Sequence, residues 1–175
     1  MSHKRIYFIG ALLLGFFMAS QGWSQPKPET VGPVITHAFA VNKGYYGYIW
    51  KIYIEAEDPN ADMLRIAVML DGPSGNHYPT DWIYLKPEYR KYFKGYIQWN
   101  TFSSKAGYPT EWIHITLRIS ILDKRGREGN QVVFPFTFES GISDPYEYKL
   151  PPPFDRGDLP RLGYITFDLT NHMGF

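Results

Sequence analysis

Residues 111–122 read EWIHITLRISIL, and this stretch decides the fold class. Apolar side chains stand at every second position from Ile113 to Ile121. The positions between them hold Trp112, His114, Thr116, Arg118 and Ser120. Alternation of this length is typical of a β-strand with one buried face. It also favours an antiparallel sheet with a solvated side over a parallel sheet, which is buried on both faces.

The same alternation recurs between residues 33 and 139. It predicts seven strands, at residues 33–41, 47–57, 64–70, 81–85, 95–102, 111–122 and 131–139. Pro135 lies inside the last strand, and a proline cannot donate to a neighbouring strand. We therefore expect that strand at a sheet edge or on a bulge. Residues 85–93, LKPEYRKYF, predict one short helix, because Pro87 suits a first helical position.

An acidic turn, EAEDPNADM at residues 55–63, separates the second and third predicted strands, and Trp50 lies on the second strand. This order of elements resembles immunoglobulin-like and fibronectin-type-III-like β-sandwich modules of secreted bacterial proteins. The resemblance covers residues 33–139, without the cysteine pair of antibody-type domains. It implies an all-β, immunoglobulin-like antiparallel sandwich of about seven strands, in a module that binds or spaces other molecules.

The acidic turn carries four oxygen-bearing side chains within six residues. They are Glu57, Asp58, Asn60 and Asp62. Calcium takes roughly six to eight oxygen ligands, so a calcium site here requires ligands from elsewhere. An EF-hand is excluded, because Met63 and Met69 stand where that loop needs glycine and glutamate. A structural calcium site and a plain polar turn both stay open, and Asp-Pro and Asn-Ala favour the turn. We expect no other cofactor.

Patterns that indicate catalysis are missing from the sequence. The histidines after the N-terminal region, His37, His77, His114 and His172, show no metal-ligand spacing. The chain has no cysteine nucleophile and no G-x-S-x-G turn. We therefore expect a protein without catalytic activity. A hydrolase is the third hypothesis, because the separation of two catalytic carboxylates cannot be read from a sequence.

The N-terminal region, residues 1–24, has the layout of a secretory signal peptide. MSHKR precedes the uncharged apolar run of residues 6–19, and small residues follow at Gly22 and Ser24. An uncleaved membrane anchor is the alternative; no later stretch approaches membrane-spanning length. Residues 25–32 then form a linker. An exported chain without cysteine suits a bacterial periplasm or cell surface.

Charge and aromatic content narrow the class of partner. The chain has 18 Lys and Arg against 17 Asp and Glu and no basic run, which argues against nucleic-acid binding. Aromatic residues make up 18% of it, and exposed rings suit protein or sugar contacts. We expect a protein partner or self-assembly through one sheet face, with anchors at Arg65, Met69, Trp112, His114, Arg118 and Phe167. The alternative is a carbohydrate-binding module that uses Tyr45, Tyr46 and Trp99.

The C-terminal extension contains one more predicted strand. Residues 140–161 are rich in proline and should be extended, and residues 162–175 recover strand alternation. Such a strand must pair somewhere. We expect it to fold back over its own sheet, because an exposed apolar edge strand invites aggregation. It would then cover Arg65, Met69, Trp112 and His114. Addition to an edge of another subunit stays open.

Overall fold

The computed structural model of the chain describes residues 32–45, 47–72, 75, 77–101, 113–139 and 148–167. Within these ranges the chain forms nine β-strands and a 3₁₀ turn at Pro87–Tyr89. The strands are β1 (Val34–Phe39), β2 (Lys43–Gly44), β3 (Ile49–Glu57), β4 (Met63–Asp71), β5 (Asp81–Tyr84), β6 (Tyr92–Asn100), β7 (His114–Asp123), β8 (Val132–Phe138) and β9 (Arg161–Ile165). The sequence predicts all of these strands except the two-residue β2.

The strands form two sheets that pack face to face as an immunoglobulin-like β-sandwich. One sheet has four strands in the order β1-β3-β6-β9, and the other has five in the order β2-β8-β7-β4-β5. Neighbouring strands are antiparallel except for β2 with β8 and β6 with β9, which are parallel. The all-β sandwich predicted by the alternation is therefore confirmed.

The core lies between the sheets and is built from alternate residues of the central strands. In β3 the inward side chains of Trp50, Ile52 and Ile54 are completely buried. In β7 the apolar positions from Ile115 to Ile121 are at most 3% exposed. The period-two pattern thus gives the correct buried face in both strands.

Strand β4 departs from the expected alternation at its start. Its pairing with β7 shifts between Met63 and Arg65, so Leu64 is an extra residue at a bulge. Met63 is completely buried in the core, whereas Leu64 is half-buried. Alternation across residues 64–70 predicts that Leu64 faces inward with Ile66, Val68 and Leu70. This prediction is wrong for Leu64, because the extra residue changes which side chains face inward.

Residues 85–93 do not form the predicted helix. The structure has a 3₁₀ turn at Pro87–Tyr89, and β6 begins at Tyr92. Tyr92 and Phe93 consequently point to opposite faces of the sheet, and Phe93 is 1% exposed while Tyr92 is 47% exposed. Continuous pairing of β6 with β3, from Tyr92 opposite Glu57 onward, overrides the weak local preference for a helix.

Strand β8, which contains Pro135, is not the edge strand that the sequence predicts, because β2 lies outside it in the sheet. Strand β2 pairs only with Thr137 and Phe138, so it does not pair with Pro135. The N–H of Phe138 donates to the carbonyl of Ile113, on the β7 side, and the N–H of Thr137 donates to the carbonyl of Asn42, on the β2 side. Since alternate residues direct their N–H groups to opposite edges, the nitrogen of Pro135 faces away from β7. No hydrogen bond to β7 is lost there.

Strand β9 closes one side of the sandwich. It pairs with β6 of its own chain, and both the N–H and the hydroxyl of Thr166 donate to Oδ2 of Asp81, at 2.7 and 3.0 Å. A Cβ atom added at Gly163 would collide with the side chain of Ile83 in β5. The C-terminal strand therefore folds back within its own chain, the arrangement that the sequence favours.

Candidate interaction surface

Residues 148–160, which we call the strap, cross the outer face of the four-stranded sheet. The ring of Phe154 packs on Tyr53, with centroids 5.8 Å apart, and the ring of Tyr148 packs on Phe39 at 5.9 Å. Nζ of Lys94 donates to the carbonyl of Pro153 at 3.3 Å. Tyr53 points outward in β3 and is nevertheless 6% exposed, because the strap covers it. We call this surface the covered face.

The expectation that the tail covers Arg65, Met69, Trp112 and His114 is wrong. Arg65, Met69 and His114 lie on the five-stranded sheet, and the strap lies on the other one. Trp112 lies outside the described residues. The reason is the pairing of β9: the N–H of Tyr96 in β6 donates to the carbonyl of Pro160 at 3.0 Å. The chain entering β9 therefore has to approach along the four-stranded sheet.

Tyrosine hydroxyls of the covered face are held in the neutral form. Burial raises the pKa of Tyr148 to about 12, and its hydrogen bond with Tyr53 acts in the same direction. Burial likewise raises the pKa of Tyr48 to about 12, with the nearby Tyr148 adding to the effect. These rings therefore remain uncharged at physiological pH, and the strap rests on neutral aromatic packing.

The strap does not cross the outer face of the five-stranded sheet, although Ala67 and Ser120 in the middle of this face are only 3% and 0% exposed. We call this outer face the open face. The strand pairing assigns to it Trp82 and Tyr84 of β5, Arg65, Ala67, Met69 and Asp71 of β4, His114, Thr116, Arg118, Ser120 and Leu122 of β7, and Val133, Pro135 and Thr137 of β8. Tyr84 is 62% exposed, Val133 is 54% exposed and Trp82 is 38% exposed. Large apolar surface is thus accessible on one side of this sheet.

Asp71 neutralises one of the two arginines of the open face. Nε of Arg118 lies 2.8 Å from Oδ2 of Asp71, and the terminal Nη2 donates to Oδ1 at 2.9 Å. Nδ1 of His77 lies 2.6 Å from the same Oδ1. Burial alone would raise the pKa of Asp71, but the hydrogen bonds from His77 and Arg118 outweigh it and lower that pKa. The charge of Arg118 is therefore compensated within the chain.

Arg65 has a different environment. Its guanidinium carbon lies 3.8 Å from the centre of the Trp82 ring, which is a cation–π contact. In the pairing of β4 with β5 it stands directly opposite Tyr84. Within the described part of the chain, no carboxylate lies at ion-pair distance from Arg65, and its Nε has no hydrogen-bond partner. Arg65 thus presents a positive charge that no described residue balances.

The structure brings together most of the binding residues expected from sequence. Arg65, Met69, His114 and Arg118 share the open face, and His114 lies 2.8 Å from Oγ1 of Thr137. Phe167 lies elsewhere: its ring packs against Trp99 and Tyr78, at 6.2 and 6.1 Å, on the margin of the core. It belongs to the closure of the sandwich and not to the open face.

Trp82 and Tyr84 were not among the site residues expected from sequence, although they are the most prominent rings of the open face. The pattern that indicates them is the alternation in DWIYL, residues 81–85. In it, Trp82 and Tyr84 alternate with Ile83 and Leu85, both of which are 5% exposed in the core. Alternation of this kind predicts that both aromatic rings project from the same outer face.

The expected carbohydrate platform of Tyr45, Tyr46 and Trp99 is not formed. Trp99 is 1% exposed, because it stands opposite Trp50 in the pairing of β6 with β3 and points into the core with it. The prediction that Trp99 is an exposed sugar-stacking ring is therefore wrong. Tyr45 is 40% exposed and contacts Tyr48, whereas Tyr46 lies outside the described residues.

Asp58 organises the acidic turn between β3 and β4. It is 1% exposed; its Oδ1 accepts the N–H of Asn60 at 2.9 Å, and its Oδ2 accepts the N–H of Asp62 at 3.1 Å. Ala61 takes a positive φ of 55°, which tightens the reversal. Both oxygens of Asp58 thus serve the turn itself.

Of the remaining residues of the expected calcium site, Asp62 lies beside Asp58, whereas Glu57 and Asn60 do not complete a metal-binding group. Burial, reinforced by Asp58, raises the pKa of Asp62, so this carboxyl resists ionisation. Glu57 and Asn60 are exposed. In the described ranges, no three His, Cys, Asp or Glu side chains form a group that could hold a metal ion. This geometry supports the polar-turn interpretation of residues 57–62.

Comparisons with known proteins add a fold similarity. No family model matches the chain, and no curated protein matches it. Among solved structures it is similar to the PKD domain of an M14-like peptidase from Thermoplasmatales archaeon SCGC AB-540-F20, with a TM-score of 0.41 and 16% sequence identity. The similarity covers 63% of this chain and 99% of that chain. No residue role, partner or activity is transferred from it. Across the described ranges, no helix is long and apolar enough to cross a membrane.

Proposed function

We propose that the protein is an exported, non-catalytic binding or assembly module that contacts a protein partner through the open face. The group that Arg65 forms with exposed aromatic rings carries this proposal. The strap buries Tyr53 on one face, although Ile49, Tyr92 and Tyr164 stay exposed on that sheet. On the other face the exposed Trp82 and Tyr84 lie beside Arg65, whose charge no described residue balances, and Val133 is more than half exposed. Single exposed apolar residues are ordinary, but several on one flat, polar-rimmed face are a feature of interaction surfaces.

Arg65, Trp82 and Tyr84 form the best anchor group on that face. Arg65 stacks on Trp82 and stands opposite Tyr84 across the β4–β5 pairing. Arginine, tryptophan and tyrosine are the residues that most often dominate binding energy at protein interfaces. Their rings and the stacked guanidinium also lose little conformational freedom on binding. Met69 and Val133 extend the apolar surface away from this group.

The proposed absence of catalysis is supported by the structural roles of two acids, the half-buried Asp71 and the buried Asp123. Asp71 is bound by Arg118 and His77, as described above. Asp123 is 1% exposed, accepts the N–H groups of Arg125 and Arg127 through Oδ1, and pairs with Nε of Arg127 through Oδ2. These contacts outweigh the effect of burial and lower the pKa of Asp123. Each carboxylate therefore stabilises the fold and is not poised to exchange protons.

Export is supported by the signal-peptide pattern of residues 1–24, which favours a bacterial periplasm or cell surface. The test is the mass of the protein recovered from the cell envelope of its source organism. A mature chain that begins at Gln25, or at the alternative site after Gly22, is the expected result. Recovery of the full-length chain from the cytoplasm would contradict export.

The open face is tested by photo-crosslinking in the source organism. A photoreactive phenylalanine replaces Tyr84, and the matched control replaces Tyr164. Tyr164 is 52% exposed and its ring also lies beneath an arginine, Arg161, at 4.2 Å, but it belongs to the four-stranded sheet. We expect one defined crosslinked product from position 84, and we expect that position 164 does not give this product. Equal products from both positions, or none from position 84, would refute the proposal.

A further inference from the structure

We propose that the element recognised by the open face is an acidic segment of a protein, with one carboxylate bound by Arg65 where it stacks on Trp82. This inference rests on the proposed function of the open face and specifies the chemistry of its partner. It follows from the charges on that face, from the position of the Arg65 guanidinium over the Trp82 ring, and from the fact that Arg65 already covers one side of that ring.

Among the described charged residues of the open face, Arg65 is the one whose positive charge no carboxylate balances. Arg118 is paired with Asp71 through two nitrogens, at 2.8 and 2.9 Å. The carboxylate of Glu128, at the rim of the same face, accepts a hydrogen bond from Ser120 at 2.5 Å. Arg65 has no carboxylate at ion-pair distance among the described residues. A negative group supplied by a partner therefore has one complementary place on this face.

The stacked geometry prepares Arg65 for a carboxylate. The guanidinium carbon of Arg65 lies over the indole ring, 3.8 Å from its centre, and a contact of this kind occupies the face of a guanidinium and not its N–H groups. The Nε of Arg65 is buried, so the terminal nitrogens are the groups that a partner would meet. The edge of a guanidinium matches the two oxygens of a carboxylate. Because Trp82 already restrains the arginine side chain, less conformational entropy is lost when the ion pair forms.

The surroundings of Arg65 favour a protein segment over a sugar. A sugar ring binds by stacking on a bare aromatic face, and Arg65 already occupies one face of Trp82. Apolar surface at Met69 and Val133 lies on the same side of the sheet, which suits apolar side chains flanking an acidic residue.

Titration of the mature protein, ¹⁵N-labelled and followed by NMR, tests this inference. The first probe is a capped peptide that alternates leucine and glutamate, and the second is the same peptide with glutamine at every glutamate. Oligomers of galacturonic acid are the third probe, since they carry carboxylates on a sugar. The signal is the indole N–H of Trp82, assigned by its loss in Trp82→Phe.

We expect the glutamate peptide to shift the Trp82 signal and the glutamine peptide to bind at least about tenfold more weakly. Arg65→Gln should weaken binding of the glutamate peptide by about tenfold, because a charge-assisted hydrogen-bonded pair is lost. Arg65→Lys keeps the charge without the planar fork and should give intermediate binding. Arg161→Gln is the matched control on the other sheet and should leave binding unchanged. Melting temperatures of all variants establish that they are folded.

Three outcomes would overturn the inference. They are equal binding of the two peptides, binding that Arg65→Gln does not weaken, and binding of the galacturonic acid oligomers without binding of the glutamate peptide. The last outcome would assign the face to an acidic polysaccharide. A partner crosslinked from position 84 that binds Arg65→Gln as well as the wild type would preserve the proposed function while refuting the acidic segment. Failure of the crosslinking itself would refute the function.

Discussion

The two outer faces of the sandwich carry aromatic residues at equivalent outward positions but bury them very differently. Tyr53 of the covered face is 6% exposed, whereas Tyr84 of the open face is 62% exposed. Both side chains alternate with core residues in the same way, so local sequence does not distinguish them. The difference comes from the strap, which lies far away in sequence. An outward aromatic beneath the strap, such as Tyr53, is therefore a packing residue, whereas an outward aromatic that the strap does not cover, such as Tyr84, is available for contacts.

The largest expected effect is on the covered face. Phe154→Ala removes a ring that is 2% exposed and packs on Tyr53, and should lower the free energy of unfolding by about 3 kcal/mol. Tyr84→Ala on the open face should change it by less than about 0.5 kcal/mol. Urea unfolding of both variants gives the comparison. Equal losses in the two variants would mean that the faces do not differ in the way described.

The next effect concerns the fit of β9, which carries the strap into place. Gly163→Ala should destabilise the protein by about 1–3 kcal/mol, because the added Cβ collides with Ile83 and forces β9 away from β5. Gly32→Ala is the control: its added Cβ would meet no atom closer than 3.9 Å. Thermal unfolding of both variants measures the difference. A Gly163→Ala variant as stable as Gly32→Ala would show that β9 does not seal the sandwich.

A smaller effect is expected when the pH is changed, because a tyrosine titrates on the covered face and a carboxyl titrates on the open face. The pKa of Tyr148 is raised from 10.0 to about 12, so the stability it contributes is complete below pH 10 and is lost as the pH rises through 12. The pKa of Asp71 is lowered from 3.8, so its contribution is present above that pH and is lost as the pH falls through the lower folded value. Near-ultraviolet circular dichroism should therefore report loosening of the strap in alkali.

Tyr148→Phe provides the control for the alkaline transition. It keeps the aromatic packing on Phe39 and removes the group that titrates. We expect this variant to retain the near-ultraviolet signal of the covered face to a higher pH than the wild type. An unchanged transition in Tyr148→Phe would mean that the strap is released by another group.

Most of the fold could be predicted from the sequence, but only part of the candidate site could, and the reasons are physical. Alternation predicts the burial of Ile115 to Ile121 in β7, and the missing N–H of Pro135 agrees with the fact that β2 does not pair with it. Both depend on neighbouring residues. The position of the strap depends instead on the pairing of β9 with β6, a long-range parallel contact that leaves no local pattern. Trp99 is different, because it alternates with Gln98 in step with the buried Ile97, so the local pattern already indicates its inward direction.

Only some residues of the expected site share one face, for the same reason. Arg65, Met69, His114 and Arg118 were assigned to one face by alternation within two strands, and the two strands are neighbours. Phe167 was added from a strand whose partner could not be deduced. Trp82 and Tyr84 lie in a four-residue strand, and their position next to Arg65 becomes visible only when β5 is placed beside β4.

The most direct test compares partner binding and stability in Tyr84→Ala, with Tyr164→Ala as the matched exposed tyrosine on the other sheet. The partner is the protein crosslinked from position 84. Tyr84→Ala should weaken its binding by about tenfold or more, with little change in melting temperature, and Tyr164→Ala should leave binding intact. Wild-type binding by Tyr84→Ala, or equal weakening in both variants, would contradict the assignment of the open face as the contact surface.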